Sequence, residues 1–141
     1  MVYRKLTARS LGVLELLIGV GAVLGGAALT ATPSGALLRM PLEILRGSPF
    51  HTFLIPGLLL CFVVGGSNVV AGWLALRESR ATAISAVIAG GVLVGWMTTQ
   101  IVLLGYRHPV QLLYLLCGVA TLLTGVVLVA LRRSWLGETG L

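Results

Sequence analysis

The chain has no aspartate, a single lysine and only four acidic residues, all of them glutamate. Charged residues make up 10% of its 141 positions, against about a quarter in an ordinary soluble domain. A chain that is 57% hydrophobic cannot clothe itself in polar groups, so lipid is its expected solvent. The same scarcity thins out the catalytic options. There are two histidines and two cysteines, and no G-x-S-x-G, H-E-x-x-H, C-x-x-C or phosphate-cradling loop. No catalytic residue and no cofactor site is therefore expected, and the chain reads as non-enzymatic. His51 and His108, with Glu43, could share one face of the protein, but two loop histidines do not make a metal site, and none is expected.

The net charge of +6 is not the footprint of a nucleic-acid binder, because the basic residues are scattered in small groups between apolar runs. No nucleic-acid partner is expected. Cys61 and Cys117 lie within apolar runs; a disulfide between them is open, but small buried thiols that simply pack are the commoner case.

What is present is length and hydrophobicity. Four apolar segments run over about 11–31, 54–76, 82–104 and 110–131. Each is about 32–34 Å long as a helix, enough to cross a hydrocarbon core of about 30 Å. The runs are continuous, not alternating, so helices are expected and not barrel strands. The expected fold is all-α: a single four-helix transmembrane bundle over residues 1–141. "RESRA" (77–81) and "GYRHP" (105–109) read as tight turns. The first connection is much longer and is punctuated by Pro33, Gly35, Pro41, Gly47 and Pro49. Within it, "ALLRMPLEILR" suits short helical turns lying at the membrane surface.

Arg4, Lys5, Arg9, Arg77, Arg80, Arg132 and Arg133 fall on one side of such a bundle, and Arg39, Arg46 and Arg107 on the other. The positive-inside rule then places both termini in the cytoplasm and the long connection outside. A basic start, an apolar run and a small-residue "SGA" also fit a signal peptide. The run is too long for one, however, and it contains Glu15.

Small and polar residues recur at spacings of three and four, the period of a helix-packing seam. The first helix offers Gly12, Glu15, Gly19, Ala22 and Gly26, and the second Gly57, Cys61, Gly65, Asn68 and Gly72. The fourth offers Gln111, Tyr114, Gly118, Thr121 and Gly125, and the third Gly91, Gly95 and Thr98. Two strict G-x-x-x-G matches, Gly21–Gly25 and Gly91–Gly95, are weak signals in spans so rich in glycine.

Glu15 on this seam is expected to face protein. A carboxylate in the bilayer costs a few kcal/mol or more, so Glu15 should hold its proton or find a donor. Asn68 and Thr121 lie at similar depth, giving an expected intramembrane polar core of Glu15, Asn68 and Thr121. That core could hold the bundle in register through hydrogen bonds. It could handle a proton or cation in a small transporter or channel, or Glu15 could reach toward Arg9 or Arg80 at the interface. A second polar group, Trp96, Gln100, Gln111 and Tyr114, with Tyr106 and His108 nearby, marks a candidate outer pocket lidded by the long connection. Aromatic residues at that level are more often interface anchors.

Taken together, Glu15, Gly25-Gly26, Pro33-Ser34-Gly35, Met40-Pro41-Leu42, Ser48-Pro49-Phe50 and Leu54-Ile55-Pro56-Gly57 form a familiar set. With Trp96, Gln100, Gly105, Gln111, Tyr114 and Gly118, the chain resembles a family of uncharacterised small four-helix integral membrane proteins of bacteria. The resemblance covers nearly the whole chain, and its most specific part is S-P-F…L-I-P-G. Two departures stand out: Thr32 where relatives often carry an acid, and His108-Pro109-Val110-Gln111 where they often read L-Q-P. The resemblance implies topology and a bacterial inner membrane, and no activity. The reading that follows is a membrane protein surrounded by lipid, working as a homo-oligomer or as an accessory subunit of a larger membrane complex. The alternatives are a proton- or cation-coupled transporter using Glu15, and a binder of lipid or quinone beneath the outer loop.

Overall fold

The computed structural model describes residues 2–138. The chain is all-helical, and four of its helices are long and apolar enough to cross a membrane. The first helix is Val2–Ala31, the second Leu54–Leu76, the third Thr82–Leu104 and the fourth Pro109–Glu138. The middle two run over the residues that the hydropathy marks. The first and fourth extend beyond their apolar runs through Arg4, Lys5, Arg9, Arg132 and Arg133. A helix satisfies its own backbone in water as well as in lipid, so leaving the apolar region gives it no reason to stop. Pro109 opens the fourth helix, where a missing N–H is harmless. The second helix changes pitch to a seven-residue π-helical stretch at Leu59–Gly65 before resuming α geometry.

The bundle is two hairpins laid side by side. In the first, the glycines of helices one and two bring backbone against backbone. A Cβ added at Gly12 would stand 2.9 Å from the Gly72 carbonyl oxygen, and one at Gly72 would stand 2.8 Å from that of Gly12. At Gly19 it would meet the Val69 amide nitrogen at 2.7 Å, and at Gly26 the Gly57 carbonyl oxygen at 2.5 Å. No side chain fits at these glycine positions. Lipid offers no hydrophobic drive between apolar helices, so close backbone packing is what holds the pair.

The second hairpin uses a different third-helix face from the expected one. Gly91 and Gly95 have nothing within 4 Å of an added Cβ, and Thr98 is exposed. The packed face is Ala83, Ala86, Gly90, Leu93 and Met97. A Cβ added at Gly90 would stand 2.5 Å from the Leu122 amide nitrogen, and one at Gly125 2.7 Å from that of Val87. Alanine serves as the small residue here, and Gly118 and Gly125 of the fourth-helix stripe pack against the third helix.

The long connection forms two 3-10 turns, Ala36–Leu38 and Leu42–Leu45. Gly35 adopts a left-handed φ of 77°, and its carbonyl accepts from the Met40 amide, folding the loop back. The loop then drives Leu45 and Phe53 inward to pack with Leu29. It caps the end of the first hairpin. At the opposite end, Thr82 ties the 77–81 turn to the Leu74 carbonyl, and the Arg132 guanidinium donates to the Arg80 carbonyl.

The first and fourth helices scarcely touch. The bundle is therefore closed on three sides and cleft on the fourth.

The seam generates a paired prediction. Gly26→Ala forces two backbones apart and should cost about 1–3 kcal/mol, by analogy with overpacked cores. Gly91→Ala should be neutral or slightly stabilising. Thermal unfolding in detergent measures both; equal midpoints for the two variants would contradict the seam.

Candidate functional site

The cleft between helices one and four holds two cavities. The one toward the long connection has a volume of about 200 Å³. Its walls are Ile18, Gly21 and Ala22 of the first helix, Leu60 and Val64 of the second, Leu93 and Met97 of the third, and Val110 of the fourth. Polar atoms enter it from Gln100, Gln111 and Tyr114. Three of the four expected outer-pocket residues are thus brought together. Trp96 is not among the lining; it packs against the neighbouring apolar core, and its buried indole N–H has no partner among the described residues. No residue of the long connection lines the cavity, so the expected lid is absent. Leu45 and Phe53 pull that loop onto Leu29 instead.

Gln111 is partly committed to structure. Its amide oxygen accepts from the Arg107 and His108 backbone amides at 2.7 and 3.2 Å, fixing the turn before the fourth helix. Gln100 makes no hydrogen bond of this kind.

The second cavity, about 390 Å³, lies toward the termini. Tyr3, Leu6, Thr7, Ser10, Leu11 and Leu14 wall it on the first helix, and Ala120, Thr121 and Thr124 on the fourth. The first-helix hydroxyls in this wall, of Tyr3, Thr7 and Ser10, were missed at the level of sequence. Their signal was the spacing Tyr3, Thr7, Ser10, Leu14, which carries a polar stripe into what reads as a basic tail.

Between the cavities lies the polar layer. Gly12 packs on Gly72 and Gly19 on Asn68 and Val69, so Glu15, between the two glycines, stands level with Asn68–Gly72. Asn68 and Gly90 each lie about two turns from the 77–81 turn, and Gly90 closes on Leu122, next to Thr121. Glu15 and Asn68 are 0% exposed and Thr121 1%. All three are buried at one level of the bundle, with Thr121 at the edge of the second cavity. They are not joined by the expected hydrogen bonds. Asn68 donates its amide to the Val64 carbonyl in its own helix at 2.9 Å. Both Glu15 oxygens, the Asn68 Oδ1 and the Thr121 Oγ1 have no partner among the described residues. Nor does Glu15 reach an arginine, since Arg9 and Arg80 are exposed and the ion pair found among the described residues is Arg46–Glu43.

No known family, curated protein or solved structure matches the chain.

Unpartnered polar atoms in a dry core weaken a fold. Glu15→Met keeps the length of the side chain and removes the demand. In detergent without added salts of small cations, it should raise stability by about 1–3 kcal/mol, read as a higher unfolding midpoint. A lower midpoint would mean that the carboxyl group is already satisfied.

Proposed function

We propose that this chain is a non-enzymatic membrane protein that takes up a lipid- or quinone-like amphiphile with a carbonyl-bearing head. The observation that carries the reading is the cavity of about 200 Å³ between helices one and four, apolar along its length and polar at one end. Apolar walls with a few convergent polar groups suit a small-molecule site. Because the first and fourth helices scarcely touch, a ligand dissolved in the bilayer reaches this space sideways without crossing water. The Gln100 amide and the Tyr114 hydroxyl supply donors for an ester or quinone carbonyl, while Ile18, Ala22, Leu60 and Met97 receive the chain.

The clustering of basic residues at the termini supports cytoplasmic termini. With the family resemblance, it supports a place in a bacterial inner membrane. A second reading, a homo-oligomer or accessory subunit, is favoured by the third helix. Gly91, Gly95 and Thr98 form a small-residue face that none of the described residues covers.

Photolabelling tests the first reading. A diazirine-bearing methyl palmitate in nanodiscs should label peptides containing 18–22 and 110–114 in a saturable way. Ala22→Phe, which fills the cavity, should remove most of that labelling and leave the fold intact by circular dichroism. Labelling spread evenly over all lipid-facing helices, unchanged by Ala22→Phe, would refute it.

A further inference from the structure

We propose that Glu15, Asn68 and Thr121 form a binding site for a small monovalent cation. This is independent of the amphiphile reading and uses different atoms.

Four oxygens carry the proposal: both of Glu15, the Oδ1 of Asn68 and the Oγ1 of Thr121. They come from three helices, are fully buried and have no donor among the described residues. Buried acceptors are nearly always satisfied, so a cluster of unmet ones calls for a positive partner. Asn68 is held in a way that leaves its oxygen free, because the amide nitrogen is anchored to the Val64 carbonyl.

Thr121 gives the most specific signal. Thr7, Thr30, Thr99 and Thr124 each donate their hydroxyl to the carbonyl four residues back, at 2.7–2.8 Å. That is the usual resting place of a helical threonine. Thr121 shares a helix with Thr124 and makes no such bond, although it is the more deeply buried. Its oxygen is thus left available to the polar layer.

Charge sets the valence. The layer holds one carboxylate, no arginine reaches it, and a monovalent ion makes the site neutral. A divalent ion would leave a net charge in apolar surroundings, at high cost. Consistent with this, no group of three His, Cys, Asp or Glu that could hold a metal occurs among the described residues. Access comes from the termini end. Thr121 lines the larger cavity, whose wall carries the hydroxyls of Tyr3, Thr7, Ser10 and Thr124.

The test uses purified full-length protein in detergent at pH 8, with sodium, lithium or potassium chloride titrated against choline chloride at constant ionic strength. At least one of the three ions should raise the unfolding midpoint in a saturable way, by several degrees. Glu15→Gln should abolish the rise, and Thr121→Val should weaken the apparent affinity about tenfold or more. Should Glu15→Gln fail to fold, Thr121→Val and direct binding of radioactive sodium, competed by lithium and potassium, decide the question. No ion-specific shift, or stabilisation by acid alone with no dependence on the metal ion, would overturn the proposal. Labelling of the outer cavity is unaffected by either result.

Discussion

The whole structure depends on contact between backbones at glycine. Apolar helices gain nothing from the hydrophobic effect when they leave lipid for one another. What they gain comes from dispersion and from close approach, which only glycine permits at the distances between Gly12 and Gly72 or Gly26 and Gly57. This seam welds the first helix to the second, and Gly90, Gly118 and Gly125 do the same for the third and fourth. Both seams are used up within their hairpins. No matching line of small residues joins helices one and four, so the cleft between them follows from how the glycines are spent.

That division accounts for where the chemistry sits. Glu15 rides on the first seam at a position where its neighbours are glycine, so the carboxyl group enters the core without a steric conflict. Thr121 rides on the second seam, and Asn68 stands level with Glu15 across the first. The layer thus forms where the two hairpins face each other. The cavities open above and below it, where small residues such as Gly21 and Ala22, or Ser10 and Ala120, leave room between the first and fourth helices.

Much of this was legible in the sequence. The second and third helices are bounded by Pro/Gly-rich and charged turns, and their limits are plain from hydropathy. Spacings of three and four pick out the buried stripes of helices one, two and four, because those stripes mix glycine with isolated polar residues. The third helix was misread. Gly91 and Gly95 make a conspicuous pattern, while the true face, Ala83, Ala86 and Gly90, is small without being rich in glycine. The helix ends at Val2 and Glu138 were hidden because hydropathy reports lipid contact and not helicity. The π-helical stretch at 59–65 and the inward turn of Phe53 arise from tertiary packing and leave no local signature. The polar core residues were identifiable from depth along the helices. Their lack of mutual hydrogen bonds was not, since that depends on side-chain rotamers.

The central claim is that the bundle is open to the bilayer between its first and fourth helices. Spin labels at Gly21 and Ala120, in a background with Cys61 and Cys117 replaced by alanine, measure this in liposomes through their collisions with dissolved oxygen. The account predicts collision rates close to those of labels at Leu17 and Leu113, which face outward. Rates well below those, at both positions, would show the cleft closed and contradict it.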